Sequence, residues 1–184
     1  LVSGAALSGG SAVVLLERFF RDVCRRFAGE DPGPLLDRMM AFDVDALPRE
    51  RLPRVDTQFL GRRDDPGATG SICGLVPATF TPDHLVAGFL YGIAAELVRF
   101  RAGLPAAMRR RAERVVAVGN GLRNNATLRR VLASELDLPV VLSDAREEAA
   151  LGAAVVAGVG RGVYRDYLSD DRPVRYESSQ EAGR

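Results

Sequence analysis

Gly119-Asn120-Gly121-Leu122-Arg123-Asn124-Asn125 is the stretch on which the reading of this chain turns. It follows Arg114-Val-Val-Ala-Val118, an apolar run that predicts a buried strand. It precedes Ala126–Leu136, where Leu128, Val131, Leu132 and Leu136 share one face of a predicted helix. A glycine-rich turn between strand and helix suits a ligand. Glycine has no Cβ, so the backbone can approach a flat or phosphorylated group closely. The helix that follows offers unpaired N–H groups and the positive end of its dipole. The same glycines also serve a plain turn that needs them only for positive φ, and short glycine motifs alone do not separate the two readings.

The next block adds to the pattern. Pro139-Val-Val-Leu142 predicts a second short strand. Asp144-Ala-Arg-Glu147 has the form of a capping box, with Asp144 as N-cap and Glu147 reaching back. Glu147 and Glu148 suit the positive end of a helix that continues through Ala149 to Gly158, and its small residues allow a neighbour to come close. Strand, Gly-x-Gly-x-x-Asn-Asn, helix, strand and Glu-Glu-Ala-Ala-Leu-Gly-Ala-Ala together resemble the C-terminal domain of the FGGY carbohydrate kinases. There this block forms the adenosine-binding edge of an actin-like ATPase fold. Leu7-Ser-Gly9-Gly10-Ser-Ala before an apolar helix is similar to that family's glycine pair. Thr57-Gln-Phe-Leu-Gly61-Arg-Arg63-Asp-Asp65-Pro66, then Gly70 to Leu75, is similar to its Phe-x-Gly-x-Arg…Asp-Pro…Gly-Leu stretch, and Thr81-Pro-Asp-His84-Leu85 to the start of its long helix. The likeness runs from Leu1 to about Tyr167, and the Gly9-Gly10 and Gly61–Leu75 segments look most like the sedoheptulokinase branch.

The resemblance implies an α/β domain of ribonuclease-H-like, actin-like ATPase type, with a mixed sheet flanked by helices over residues 1–167. It implies ATP, with Mg²⁺, as cofactor and a sugar as the second substrate. Adenine would lie against Gly119, Asn120 and Gly121, with the Asn124 amide hydrogen-bonding its edge, since an amide carries both donors and an acceptor. Gly9 and Gly10 would line the other side of the cleft. Asn120 stands where many relatives have a middle glycine. The general-base aspartate and most sugar contacts would belong to an N-terminal domain preceding Leu1, so no residue here is assigned as catalytic and none as a metal ligand. A dinucleotide-binding reading fails: it needs a third glycine where Asn124 stands, and the acidic residue at the right distance, Asp144, already has a use as a cap.

Composition sets wider bounds. The chain has 184 residues, 47% hydrophobic and 27% charged, enough for one domain with its own core. A net charge of +1 predicts neither a nucleic-acid nor a membrane partner. All 25 basic residues counted as Lys+Arg are arginine, which excludes a P-loop lysine or a lysine Schiff base. No run of about 18 apolar residues and no signal-peptide pattern is present, so a cytoplasmic location is the expectation.

Along the chain, Ala12–Ala28 carries Leu15, Leu16, Phe19, Phe20, Val23 and Phe27 at helical spacing. Leu35–Phe42 predicts a short helix, and Pro48–Pro53 irregular backbone. Val55–Leu60 and Ser71–Leu75 predict two strands. Thr81 caps a helix with Pro82 in its first turn that runs to about Arg101, where Gly103 and Pro105 stop it. Residues 168–184 are polar and aperiodic and read as a disordered tail.

Other residues that invite chemistry have ordinary uses. His84, the only histidine, sits in a helix first turn without a nucleophile motif nearby, which favours a capping role. Asp64 and Asp65 sit in a turn beside Pro66, where aspartate makes local turn bonds. Arg109-Arg-Arg111 reads as a solvated face, and Cys24 and Cys73 as small buried hydrophobes. Two function classes follow: the nucleotide-binding half of an ATP-dependent sugar kinase acting on a ketose or polyol, sedoheptulose-like or xylulose-like, or a non-catalytic actin-fold nucleotide-binding or assembly domain.

Overall fold

The computed structural model describes residues 9–63, 65–143, 147–167 and 176–177. The chain divides into two compact units, residues 1–111 with 134–136, and residues 112–133 with 137–184.

In the first unit, α1 (Gly9–Val23) continues as one π-helical turn, Cys24–Ala28. Gly29, at φ 73°, ends it in the left-handed conformation that glycine adopts without a Cβ penalty. The buried stripe of α1 is Ala12, Val13 and Leu16. Leu15, Phe19 and Phe27, which periodicity placed on the buried face, are 44%, 54% and 77% exposed. Val13-Val-Leu-Leu16 is apolar on every side, so spacing alone does not choose the face; packing against a neighbouring helix does. At its far end, Asp31 accepts from Arg25 at 2.7 Å and from the Gly33 N–H at 3.0 Å. These bonds, with that from Arg21, hold its carboxyl at about 2.

The short α2 (Leu36–Met39) is half the length that the sequence predicts. The strands β1 (Arg54–Asp56) and β2 (Ser71–Cys73) pair antiparallel, Val55 opposite Ile72. The predicted first strand reaches Leu60, but Asp56 accepts the Gln58 N–H at 3.2 Å, and this side-chain turn ends the ladder. α3 (Pro82–Ala102) starts at Thr81, whose hydroxyl accepts the His84 N–H, with Pro82 in its first turn. It supplies a large share of this unit's core, including Leu85, Val86, Phe89, Leu90 and Ile93. It lies tightly on β1: a Cβ on Gly92 would come within 2.4 Å of the Val55 carbonyl oxygen, and one on Gly88 within 2.8 Å of that of Pro53. Across this contact the Thr57 hydroxyl donates to the buried Glu96 carboxylate at 3.3 Å. The basic stretch Arg109–Arg111 ends a short helix, α4 (Ala106–Arg111), which the sequence did not single out.

In the second unit, β3 (Val115–Ala117) leads through a four-residue helix, α5 (Asn120–Arg123), into α6 (Ala126–Leu136). Leu128, Val131, Leu132 and Leu136 are buried as their spacing requires, Leu136 being counted with the first unit. Asp137, at φ 49°, ends α6 in the left-handed region. β4 (Val140–Ser143) pairs parallel with β3, and α7 (Glu148–Gly160) follows. β5 (Tyr176–Glu177) pairs antiparallel with β4, giving the order β3-β4-β5. That sheet is mixed, as expected, but β1 and β2 form a separate sheet rather than joining it. Tyr176–Glu177 fall in the stretch that the sequence reads as a tail, the rest of which lies outside the described residues. Two residues give no periodic signal, and their pairing with residues more than 30 positions earlier is not a local property.

Candidate functional site

The glycine turn takes a form that the sequence only partly foretold. Gly119 is the N-cap of α5 at φ 83°, ψ 158°, a region essentially restricted to glycine. A Cβ there would meet nothing within 4 Å. Backbone conformation, not crowding, therefore requires this glycine, and the space above it is open. Gly121 lies inside α5, so positive φ belongs to Gly119 and not to the second glycine. Asn120, Gly121 and Asn124 are exposed, and neither asparagine side chain has a partner among the described residues. Gly119, Asn120, Gly121 and Asn124 thus lie exposed within one short turn of chain, with both amides unpartnered among the described residues.

The expected helix N-terminus is used differently. Asn125 is buried, and its Oδ1 accepts the Leu128 N–H at 2.8 Å. That is an N-cap bond to the third residue of α6, so part of the first-turn donor set is already satisfied. α5 lies between the turn and this helix. The sequence carried the signal, an asparagine directly before an apolar periodic run, and the reading passed over it for Asn124.

Arg123 locks the turn to the rest of its unit. Its Nη2 donates to the Ser143 carbonyl oxygen at 2.8 Å, at the end of β4, and to Glu148 Oε1 at 2.8 Å, in the first turn of α7. The two side chains are 23% and 21% exposed, so the pair is shielded from solvent more than an ordinary surface ion pair. The Glu148 carboxyl is held below the usual carboxylate range by its own backbone N–H, by Arg123 and by the Gly119 N–H. Through Arg123, this carboxylate ties the end of α5 to the start of α7. Arg129 completes the arrangement: its Nη1 donates to the carbonyl oxygens of Leu122 and, at 2.7 Å, Arg123, which satisfies the end of α5. Burial and the neighbouring Arg123 hold its guanidinium below the ordinary arginine value. Sequence reasoning missed Arg123 and Arg129 and gave Glu148 only a dipole role. The observed N-cap of α7 is Glu147, without a side-chain cap bond, so the helix starts beyond the predicted box; Asp144 lies outside the described residues.

Gly9 and Gly10 open α1 in the first unit, whereas the other four predicted site residues share the second. The Thr81 hydroxyl lies 2.8 Å from His84 Nδ1 and accepts its backbone N–H, which makes His84 part of a helix start. Asp65 Oδ1 accepts the Gly67 N–H at 3.2 Å, as a turn aspartate should; Asp64 lies outside the described residues. Arg109 donates to the Ala102 carbonyl oxygen at the end of α3. Cys73 is exposed and Cys24 half-buried, contrary to the expectation of buried thiols. β2 belongs to a two-stranded sheet and is exposed along its length, so a strand-like run there implies no burial. Among the described residues, no three His, Cys, Asp or Glu side chains converge to hold a metal ion, and no helix is long and apolar enough to cross a membrane.

Strand, glycine turn, helix, parallel strand and helix, with α3 on a separate hairpin, define an α/β fold of the ribonuclease-H-like, actin-like ATPase type, shared with solved carbohydrate kinases. Residues 4–161 match the C-terminal domain of the FGGY family of carbohydrate kinases, and the chain belongs to that family. A glycerol kinase of Ralstonia pickettii is 37% identical over 105 residues, 55% of this chain and 20% of that protein. The structure of xylulose kinase from Rhodospirillum rubrum matches 92% of this chain and 33% of its own, at 27% identity and a TM-score of 0.64. Gluconate kinase from Lactobacillus acidophilus shares the fold over 89% of this chain and 32% of its own, with a TM-score of 0.66 at 16% identity. The chain thus spans about a third or less of the proteins it matches.

Proposed function

We propose that this chain is the nucleotide-binding half of an ATP-dependent sugar kinase, with adenine seated on the face formed by Gly119, Asn120, Gly121 and Asn124. The observation that carries this reading is the open space above Gly119 beside two exposed, unpartnered amides. A planar base can lie on backbone that has no Cβ, and the Asn124 amide can pair with its edge. The Arg123–Glu148 pair holds the turn in place, and such transfer depends mostly on positioning and electrostatic support.

The reaction would move the γ-phosphoryl group of ATP to a hydroxyl of a ketose or polyol. Mg²⁺ would accompany the ATP phosphates in the whole kinase. The base that activates the hydroxyl and the contacts that choose the sugar are assigned to the remaining two-thirds of a whole kinase. Relatives named for glycerol, xylulose and gluconate carry this same domain, which fits a half that does not select the sugar. The sedoheptulose-like assignment and a cytoplasmic location belong to this proposal.

Two assays test it together. Ligand-observed NMR on the chain should show ADP binding near the millimolar range, about −4 kcal/mol, and weaker GDP binding. Coupled ADP-release assays with a panel of sugars should show no turnover by this chain alone. Equal binding of ADP and GDP would argue for a domain that does not read adenine, and robust turnover would place the acceptor machinery within these residues.

A further inference from the structure

The first unit carries a half-open groove of about 480 Å³ between β1 and α3. This lies within the size range of small-molecule sites. Its floor is the glycine contact already described. Gly88 and Gly92 let α3 settle on Pro53 and Val55, and larger residues there would push the helix off the strand. Three arginines and one aspartate line it: Arg49, Arg54, Arg99 and Asp56.

The three guanidinium groups are not equivalent. Arg49 is fixed, lying 5.0 Å from the centre of the Tyr91 ring and pairing with Glu135. Arg54, on the strand, and Arg99, one helix away, have no acidic partner among the described residues. Asp56, the one acid in the wall, already accepts the Gln58 N–H. Two arginines from different elements, neither with an acidic partner among the described residues, therefore line one concave surface beside the oriented Arg49. Guanidinium presents a planar fork of donors that matches the oxygens of phosphate, and two forks from different elements can hold a diphosphate better than a single charge.

We propose that this groove binds a small phosphate-bearing anion, through Arg54 and Arg99, independently of the glycine turn. The test uses inorganic pyrophosphate as the probe, titrated into the whole chain by calorimetry at constant ionic strength. Arg54→Gln and Arg99→Gln, singly and together, remove the proposed contacts at exposed positions; far-UV circular dichroism checks that the fold is kept. The expected result is saturable binding that each single change weakens and the double change weakens at least tenfold, while Asn124→Ala leaves it unchanged. Absence of saturable binding, or a folded double variant that binds like the unaltered chain, would overturn the proposal. Loss on Asn124→Ala would also overturn it, by moving the anion to the glycine turn.

Discussion

Replacing Gly119 or Gly121 by alanine should change stability in opposite directions. The two glycines are two residues apart and equally exposed, and sequence gives no reason to rank them. Structure does. Gly119 sits at φ 83°, ψ 158°, where a side chain is strained even though nothing lies within 4 Å of the added carbon. The cost is backbone strain alone, about 1–3 kcal/mol. Gly121 lies within α5, where alanine restricts the unfolded chain and favours the helix, a gain of roughly 0.5–1 kcal/mol. The predicted gap between the two variants is therefore about 1.5–4 kcal/mol. Urea denaturation followed by circular dichroism would measure it, with hydrogen exchange at Val115–Ala117 and Val140–Ser143 reporting on the unit that holds both residues. Equal destabilisation, or a more stable Gly119→Ala, would refute the backbone argument. In the same pair, Gly121→Ala should lose ADP binding without losing stability, since its methyl group occupies space proposed for the base.

Glu148→Gln should flatten the acid limb of the stability profile. The folded carboxyl titrates below its unfolded value, so its contribution is present above about pH 4.3 and is lost as pH falls through the lower folded value; a variant with the same slope as the unaltered chain in that window would contradict this. Gly92→Ala should destabilise the first unit by about 1–3 kcal/mol, because the new methyl group meets the Val55 carbonyl oxygen at 2.4 Å. Gly152→Ala in α7, with nothing within 4 Å, should be neutral or mildly stabilising, and thermal melts of the two variants side by side check the contrast.

The long helices were legible because their ends carry local chemistry. Thr81-Pro82 starts α3 and Gly103 follows its last residue. α6 runs from Ala126 to Leu136 as predicted, between the Asn125 cap and the left-handed Asp137. What sequence left open depends on contacts distant along the chain. The Arg123–Glu148 pair joins residues 25 positions apart, and nothing in either neighbourhood names the other. β5 pairs with β4 across a similar gap. The buried side of α1 is chosen by packing, because apolar residues surround the helix near Val13–Leu16. Even within the glycine turn, spacing placed both glycines at a bend but could not say which carries the unusual backbone. The structure decides it: Gly119 has the positive φ, and Gly121 lies within α5. The motif names Gly119, Asn120, Gly121 and Asn124, but gives no sign of Arg129 or of the Arg123–Glu148 pair that ties their helix to the rest of the unit.

The most direct test of the proposed nucleotide site is ADP affinity of Asn124→Ala, measured by ligand-observed NMR beside GDP and beside the thermal melt of the same variant. Asn124 is exposed and has no partner among the described residues, so the change should leave stability nearly unaltered. The account predicts a loss of about 1 kcal/mol in ADP binding, the usual net worth of one hydrogen bond, with the preference over GDP reduced. Unchanged ADP affinity in a folded variant would remove Asn124 from the site and leave the glycine turn as architecture alone.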